Sequence, residues 1–403
     1  MMNYEGGKPM AQEDVASRIE QAGPELAELA WENERLGKLS ARTVEIIRSA
    51  GVMRILQPID HGGLGGTPAQ FAEAVMTTAR FDGSAGWVCG VVGVHPWEVA
   101  LFSPKLGDDI WGQNRDTWIA SPYTPTGIAE PAEGGYRLTG RWQFSSGTDH
   151  SDWVFLGALL GDGNGRPEMP PRAMHLILPR AEYEIIDDSW DVIGLLGTGS
   201  KDVVVKDIFI PEYRAVFHED VASGAAAVRQ GLENPIYKLP FSAIFPVGIT
   251  SAIIGMAEGA LEAHGAYQRD RVSAAGSKLR DDPYSAYFTG EAAAEIHASR
   301  AQLLAGINWA YEQVLAGNEI SFEDRSKIRR NQIRCAWRAT AAIDAIYARS
   351  GGNASRRTNP IQRFWRDAHV GLNHFIHVPG PTYHANAMTQ YGLEPPESLR
   401  MGI

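Results

Sequence analysis

The sequence predicts an α+β protein that is mainly α-helical, with an N-terminal helical domain at residues 1–116, a middle antiparallel β-domain at 117–225 and a C-terminal four-helix bundle at 226–403. Three observations predict this fold class. Hydrophobic residues recur with helical spacing up to about residue 115, short β-branched and aromatic runs follow, and long helical stretches complete the chain.

The first zone contains clear helix ends. The run from Arg42 to Ile47 has helical spacing and stops at Gly51. Thr67 and Pro68 form an N-cap and first-turn pair before Phe71, because a threonine oxygen accepts from the first backbone N–H groups and proline needs no partner there. These signals predict helices.

The middle zone consists of short strand-like runs. They lie at 136–138, 153–156, 175–178 and 203–205, and their β-branched and aromatic residues suit a pleated, half-buried surface. A parallel doubly wound sheet would place a helical segment between successive strands. The sequence shows none here, so the pattern predicts an antiparallel sheet.

After a polar link near residues 221–235, the chain reads as long helices. We predict them at 244–273, 286–316, 322–350 and 359–377. Lengths near 30 residues exceed the usual helix, and the alanine-rich stretch Ala339–Ala348 allows close helix approach. We therefore expect burial between subunits, and an oligomer.

Composition narrows the function classes. The formal net charge of −11 and scattered positive residues argue against nucleic acid. Cys89 and Cys335 lie far apart, which favours a reducing cytoplasm over a disulfide scaffold. No export signal is expected at Met1. The most apolar helix candidate, 244–257 with Pro246 breaking it, is too short to cross a membrane.

Several catalytic signatures are disfavoured by their spacing. Gly62–Gly66 is neither a dinucleotide fingerprint nor a Walker loop, so it reads as a turn. Gly197–Lys201 is not a nucleophile elbow, and its glycines more plausibly let backbone approach a ligand. His374 and His377 could supply two metal ligands, but a third cannot be named, so we predict no metal.

The remaining candidates come from separate segments. Proline at 360 opens a C-terminal aromatic helix that we expect to carry His369, His374 and His377 in its last turns, where imidazoles could move protons or simply complement the helix dipole. His95 among aromatics suits an aromatic ligand or a satisfied core position. The segment 142–150 could line a flat ring or form a polar turn.

Three segments, Asp82–Trp87, Trp142–Gly147 and Arg363–Ala368, together with the domain order, resemble the acyl-CoA dehydrogenase fold over nearly the whole chain. Dehydrogenases of this fold carry a catalytic glutamate a few residues beyond such an Arg-Asp-Ala segment. Asn373–His377 stands there instead and holds no carboxylate. With His95 and Ser145-Ser146-Gly147, this resembles the oxygenase components of two-component flavin-dependent monooxygenases, including the 4-hydroxyphenylacetate and secosteroid phenol hydroxylases.

The resemblance implies an activity and its partners. A separate NAD(P)H:flavin reductase would supply reduced flavin, normally FMNH2 and alternatively FAD in its reduced form. The oxygenase would add O2, protect the C4a-hydroperoxyflavin from water and hydroxylate a small aromatic, phenolic substrate. The fold usually forms a homotetramer. Open alternatives are an N- or S-oxygenating monooxygenase of the same fold, an acyl-CoA dehydrogenase-like FAD enzyme and a non-enzymatic scaffold.

The resemblance also implies roles for single residues. Ser146 would stand near flavin N5, and His374, with His369 as a second candidate, would be the functional histidine of the last helix. The substrate side would comprise His95, Ser121, Trp97 and Tyr123. The cofactor would be held by Trp142, Ser145, Ser146, Gly199, Ser200 and Lys201, and from a neighbouring subunit by Arg269, Arg271, Gly351 and Gly352. Either His95 or His374 could take the phenol proton.

Overall fold

The computed structural model of the protein describes residues 15–273, 276–400 and 402–403. The first 14 residues, on which the expectation of no export signal rests, lie outside the described residues. The N-terminal part is helical, as predicted. It contains α1 (Val15–Leu36), α2 (Ala41–Ala50), α3 (Pro68–Phe81), α4 (Gly83–Val92), α5 (His95–Val99) and α6 (Pro104–Trp111).

The helix ends follow from local hydrogen bonding. Gly51 ends α2 with a φ of 85°, a conformation that glycine adopts at little cost. Thr67 and Gln70 form a reciprocal capping box at the start of α3, which confirms the predicted cap. Asp82 ends α3 and also starts α4, because its carboxylate accepts from the backbone N–H groups of Ser84 and Ala85.

The middle part is a sheet in the order β6-β7-β3-β2-β4-β5-β8, with β1 paired to β4. Its strands are β1 (Ile119–Ala120), β2 (Gly127–Ala132), β3 (Gly135–Ser145), β4 (Trp153–Leu160), β5 (Ala173–Pro179), β6 (Glu184–Ile186), β7 (Lys201–Pro211) and β8 (Ala215–Phe217). These strands lie between residues 119 and 217 and confirm the predicted β-rich middle zone.

The sheet is mixed rather than wholly antiparallel. β2 and β1 each pair with β4 in parallel, while the other neighbouring strands are antiparallel. The parallel pair arises because β4, which runs opposite to β3, docks on the far side of β2 from β3. Residue patterns report burial but not the order of strands, so the sequence could not reveal this pairing.

The C-terminal part is again helical. Its short helices are α7 (His218–Ala222), α8 (Ala225–Arg229) and α13 (Gly380–Gln390), and its main helices are α9 (Phe241–Asp270), α10 (Pro283–Leu315), α11 (Phe322–Arg349) and α12 (Pro360–Leu372). The first three predicted long helices agree with α9, α10 and α11 to within three residues at each end.

The fourth predicted helix, 359–377, is too long by one turn. α12 ends at Leu372, and His374 leaves the helical region with φ −61° and ψ 137°. A 3₁₀ turn, Phe375–His377, follows, and its first N–H groups need an acceptor. The His374 Nδ1 atom accepts from the Ile376 N–H at 3.3 Å, so the histidine caps this turn instead of continuing the helix.

α9 is the central core helix. Pro246 does not break it, contrary to the sequence-based expectation, and the helix continues to Asp270. Among the described helices, α9 alone is long and apolar enough to cross a membrane, but 83% of its apolar window is buried inside the protein. Its composition therefore reflects core packing.

The N-terminal and C-terminal helices share one apolar core, and the sheet has a second core of its own. α4 and α9 cross closely at Gly90 and Gly248. A Cβ on Gly248 would lie only 2.8 Å from the Cα of Gly90, so a larger residue would not fit there. Ala339 and Ala342 are buried within the chain. These two alanines therefore allow close helix approach inside the subunit, and the expected burial between subunits does not involve them.

Candidate active site

A cavity of about 490 Å³ lies where the three parts of the chain meet. This volume falls in the range of small-molecule sites in proteins. The walls come from α4, the segment after β1, the end of β3, the loop between β6 and β7, α9 and the segment after α12. The lining residues used below are Trp87, Ser121, Tyr123, Phe144, Ser146, Trp190, Leu195, Ser200, Phe245 and His374.

One wall carries a row of hydroxyl groups. The Ser146 Oγ atom lies 2.7 Å from the Ser200 Oγ atom and accepts a hydrogen bond from the Trp87 indole at 3.2 Å. Thr198 continues the row, with its hydroxyl oxygen 2.6 Å from that of Ser200. The structure thus brings Ser146 and Ser200 together at the cavity, as the sequence suggested, and adds Trp87 and Thr198.

Ser145 lies beside this row on β3. Its side chain is fully buried, and its hydroxyl has no hydrogen-bond partner among the described residues. Leaving a buried hydroxyl unpaired costs about 1–3 kcal/mol. Ser145 does not line the cavity, and its hydroxyl is inaccessible from it, so the structure does not place Ser145 at the cofactor position that the resemblance implied.

Gly199 and Lys201 flank Ser200 but do not line the cavity. Gly199 has a φ of 54°, and a Cβ there would lie 2.7 Å from the Asp149 Oδ2 atom. The Lys201 ammonium is held by Asp149 at 2.8 Å and by Asp187 at 2.9 Å. Both residues therefore shape the turn that presents the Ser200 hydroxyl.

The two tryptophans named from the sequence lie outside the cavity wall. Trp142 is buried in the core of the sheet and donates its indole N–H to the Gly157 carbonyl at 2.7 Å. Trp97 is buried among the helices and donates to the Ile236 carbonyl at 2.9 Å. In this structure each supports the fold behind the site.

His95 reaches the cavity through Ser121. The imidazole is completely buried, and its Nδ1 atom is hydrogen bonded to the Ile119 carbonyl, which can only accept. Nδ1 therefore carries the proton, and Nε2 accepts from the Ser121 hydroxyl at 2.8 Å. Burial lowers the pKa of His95 to about 4, so the ring is neutral near pH 7. His95 is thus a satisfied core histidine whose accepting nitrogen is linked to a hydroxyl on the cavity wall.

His374 lines the cavity, and its ring lies 6.0 Å from that of Trp87 in an edge-on arrangement. Because its Nδ1 atom accepts from the Ile376 N–H, the neutral ring carries its proton on Nε2. Burial, followed by the charge of Arg329, lowers the pKa of His374 to about 4. Near neutral pH, His374 is therefore a hydrogen-bond donor at Nε2.

The other two C-terminal histidines lie elsewhere. His369 does not line the cavity, since its Nδ1 atom bonds the Trp365 carbonyl at 2.7 Å and its Nε2 atom lies 3.2 Å from Asp344. His377 is completely buried between the Gly371 carbonyl and the Thr250 hydroxyl. It fixes the turn that carries His374.

Phe144 and Trp190 are among the aromatic residues of the cavity wall that sequence reasoning did not name as site residues. Phe144 lines the cavity with 64% of its surface exposed, and it stands edge-on to Trp190 with ring centres 6.2 Å apart. Phe144 also has a φ of 67°. This is a strained conformation for a residue with a bulky side chain, and such strain often marks a ligand site.

The residues predicted to act from a neighbouring subunit cluster at the ends of α9 and α11. The Arg271 guanidinium donates to the Ser350 carbonyl at 2.8 Å. Gly351 has a φ of 71°, which glycine adopts at little cost, and it packs against the Arg271 guanidinium. Arg269 is exposed beside Asp270, and Gly352 has open space around it. None of the four lines the cavity of its own chain.

The sequence of this chain is similar to those of known proteins. Residues 247–379 match the family described as Acyl-CoA dehydrogenase, C-terminal domain. A pigment production hydroxylase of Rhodococcus erythropolis is 48% identical over 390 residues, covering 97% of this chain and 99% of the relative. The oxygenase component of an FADH2-dependent resorcinol hydroxylase from a Rhizobium species is 32% identical over 360 residues, covering 85% and 87%.

HsaA of Mycobacterium tuberculosis, a flavin-dependent monooxygenase oxygenase subunit, is 38% identical over 390 residues, covering 96% of this chain and 98% of the relative. A crystal structure of the HsaA monooxygenase from this organism gives a TM-score of 0.90 and covers 96% of this chain and 99% of that one. The predicted fold and family are thereby confirmed. The chain belongs to the flavin-dependent monooxygenases, as an oxygenase subunit built on the acyl-CoA dehydrogenase fold.

Proposed function

We propose that the protein uses reduced flavin, supplied by a separate NAD(P)H:flavin reductase, and O2 to hydroxylate a small phenolic substrate. The observation that carries this proposal is the Ser121–His95 pair, which opens onto the same cavity as the Ser146–Ser200 hydroxyl row. A phenol bound beside Ser121 has a neutral base within reach. The resorcinol hydroxylase among the relatives acts on a compound of this chemical class.

The residues present fit a flavin. Phe144 and Trp190, both on the cavity wall, offer aromatic surface to a flat ring. Ser146 and Ser200 would hydrogen-bond the polar edge of the ring system, with Gly199 shaping the turn. The bound cofactor, FMN or alternatively FAD, supplies in its reduced form the electrons that activate O2. The apolar remainder of the cavity would exclude water, which limits side reactions.

The chain itself provides the proton transfers. As a phenol becomes hydroxylated, it is activated by losing its O–H proton. The Ser121 oxygen can accept that proton while the Ser121 hydroxyl donates to His95 Nε2, which completes the transfer. Since His374 carries its proton on Nε2, we assign it the role of a donor to a bound oxygen atom and assign His95 the role of base.

The direct test supplies reduced FMN or FAD from a flavin reductase and NADH, adds O2 and a simple phenol, and measures catechol formation. Stoichiometric catechol would support the proposal. Oxidation of an amine or a sulfide in place of phenol would favour the N- or S-oxygenating alternative. Reduction of the bound flavin by an acyl-CoA, without oxygen transfer, would contradict the monooxygenase assignment for this chain.

Replacement of Ser146 by alanine should uncouple the reaction. The variant loses a hydroxyl bonded to both Trp87 and Ser200, so the wall that meets the flavin loses its polar contact. We expect a several-fold higher ratio of H2O2 to hydroxylated product, with flavin binding weakened by about 1 kcal/mol. Ser223→Ala, which removes an exposed hydroxyl bonded to Glu219, is the matched control. An unchanged H2O2 ratio in Ser146→Ala would remove Ser146 from this role.

We also propose a homotetramer in the cytoplasm, in which Arg269, Arg271, Gly351 and Gly352 of one subunit contact the flavin of another. Exposed aromatic side chains on α10 and α11 support burial by other subunits; they are Tyr284, Tyr287, Trp309 and Trp337. The Arg271 guanidinium, which the Ser350 carbonyl holds through Nη1, has further N–H groups that suit a phosphate group. Both described cysteines are free and buried, in keeping with a reducing compartment.

Replacement of Arg271 by alanine should weaken binding of reduced FMN by about 10- to 100-fold, because a hydrogen bond to a charged group contributes about 1.5–3 kcal/mol. Calorimetric titration of the tetramer under anaerobic conditions measures this affinity. Arg280→Ala removes an exposed arginine near Asp281 and serves as control. An Arg271→Ala tetramer with wild-type affinity would contradict the contact between subunits.

A further inference from the structure

A chain of polar side chains leads away from the cavity behind Tyr123. The Tyr123 hydroxyl donates to the Glu98 Oε2 atom at 2.5 Å, and the Glu98 Oε1 atom lies 2.5 Å from His175 Nδ1. His175 Nε2 lies 3.1 Å from the Nδ1 atom of His218. We term these four residues the Tyr123–His218 chain. Tyr123 follows β1, Glu98 is in α5, His175 is in β5 and His218 is in α7. The roles assigned above to the site do not use Glu98, His175 or His218.

The Tyr123–His218 chain joins the cavity to the protein surface. Tyr123 lines the cavity, and Glu98 and His175 are buried behind it. His218 begins α7 and is partly exposed. The Tyr123–His218 chain is therefore continuous from the cavity to solvent, and each donor–acceptor distance is in the range of a hydrogen bond.

The protonation states of Glu98 and His218 are compatible with proton transfer along the Tyr123–His218 chain. Burial by itself would raise the pKa of Glu98, but the charge and hydrogen bonds of His175 and the Tyr123 hydroxyl hold it below its usual range. Burial and the neighbouring His175 lower the pKa of His218 to about 4, which leaves that ring neutral. An ionised carboxylate thus faces His175 Nδ1–H, and a neutral imidazole stands at the outer end.

Burying these charged and polar groups has a free-energy cost that apolar packing would avoid. Phe241 and Phe245 stack on each other beside Tyr123, and Phe241 also packs on the rings of His175 and His218. A buried charged network is commonly no more stabilising than apolar side chains of the same volume. In these aromatic surroundings, apolar residues would pack without the cost of desolvating Glu98, so a role beyond packing is indicated.

The proposed reaction requires a proton from outside. Anionic reduced flavin, O2, one proton and a phenol yield oxidised flavin, a catechol and water: flavin and ring each lose two electrons, and O2 gains four. One oxygen atom enters the ring, and the other leaves as water with the flavin hydride and the added proton. A cavity that excludes water must admit one proton per turnover.

We propose that Tyr123, Glu98, His175 and His218 form the path by which that proton travels between solvent and the cavity. When His175 is neutral, with its proton on Nδ1, a proton added to the outer nitrogen of His218 releases the His218 Nδ1 proton to His175 Nε2, and His175 becomes a cation paired with Glu98. His175 passes its Nδ1 proton to Glu98, and Glu98 returns a proton to the Tyr123 oxygen while the Tyr123 hydroxyl donates into the cavity. After the side chains rotate back, each of the four groups carries the same number of protons as before the transfer. This inference rests on the proposed phenol site.

The test uses 4-nitrophenol, whose phenolate is coloured, bound to the intact protein without flavin or O2. A rapid pH drop is applied, and the rate of protonation of the bound phenolate is followed; its dissociation rate is measured separately by dilution. In His218→Ala we expect protonation to slow by about tenfold or more, since positioned acid–base groups contribute about 10²–10⁴ in rate. Added imidazole should restore the rate in proportion to its concentration.

Two further variants separate a proton path from a structural role. Tyr123→Phe keeps the ring but removes the hydroxyl, so it should be slow and should not respond to imidazole. His297→Ala removes an exposed histidine on α10 and should match the wild type. Wild-type protonation rates in both His218→Ala and Tyr123→Phe would overturn the path while leaving the phenol site intact. Failure of 4-nitrophenol to bind the wild type would overturn the phenol site and the path together.

Discussion

Replacement of His95 by glutamine is expected to lower the rate of phenol hydroxylation by about 10²- to 10⁴-fold, which is the usual contribution of a positioned general base. Glutamine can still donate to the Ile119 carbonyl and accept from the Ser121 hydroxyl. It cannot take up a proton. The variant therefore retains the hydrogen bonds of the buried site and removes only the basic nitrogen.

The expected loss is in the chemical step. Catechol formed in a single turnover should fall, while the affinity for reduced flavin and the melting temperature should stay close to those of the wild type. Ser121→Ala should show a comparable loss of rate, because it interrupts the same transfer. If flavin affinity falls as much as hydroxylation does, His95 is a packing residue and the base must be sought elsewhere.

The same geometry predicts a pH dependence. Burial lowers the pKa of His95 from 6.5 to about 4, so the base remains neutral and available at every pH well above 4. The rate of hydroxylation should therefore show no acid limb near 6.5 that depends on His95. A limb near 6.5 that disappears in His95→Gln would contradict the buried, neutral base.

Sequence reasoning located much of the site because residues of one cavity occupy recognisable family segments. Ser121, Ser146, Ser200 and His374 were named from segments far apart in the chain, and all four line the cavity. The resemblance supplied this grouping, since spacing along a sequence carries no information on which segments meet.

The placements of Trp142 and Phe144 were mispredicted because side-chain direction along β3 is irregular. Trp142 and Phe144 lie two apart on β3 and would share a face in a regular strand. The register between β3 and β7 shifts between Trp142 and Ser145, and Phe144 has a positive φ. Trp142 therefore points into the core of the sheet while Phe144 reaches the cavity rim, an outcome that alternation alone cannot predict.

The Tyr123–His218 chain illustrates another limit. Glu98 and His175 are separated by 77 residues, and His175 and His218 by 43. Each looks like an isolated polar residue in an apolar stretch. Only the pairing of β5 with β4 and β8, which sets His175 between α5 and α7, brings them into contact.

Replacement of His377 by glutamine should destabilise the protein by about 1–3 kcal/mol near pH 7.5, because the buried Gly371 carbonyl and Thr250 hydroxyl lose well-placed partners. The destabilisation should shrink as the pH falls. Burial, and then the neighbouring His374, lowers the pKa of His377 to about 3, whereas a histidine in the unfolded chain titrates near 6.5.

The sign follows from proton binding. Below about pH 6.5 the unfolded chain takes up a proton at His377 and the folded protein does not, so acidification favours unfolding by about 1.4 kcal/mol per pH unit. Between pH 6.5 and 5 the wild type thus loses about 2 kcal/mol from this group. His377→Gln lacks the group, so the stability difference between the two proteins should narrow by that amount.

Urea unfolding of the wild type and of His377→Gln at pH 7.5 and pH 5 measures the difference between their free energies of unfolding. Asp367, whose pKa burial raises to about 7, acts in the opposite direction because the folded protein gains its proton first, but it is present in both proteins and cancels. His384→Gln replaces an exposed histidine and serves as the control. A His377→Gln difference that stays constant or widens at pH 5 would show that His377 is charged in the folded protein. The turn that presents His374 would then be held by a cation, and the assignment of His374 as a neutral donor would lose its structural basis.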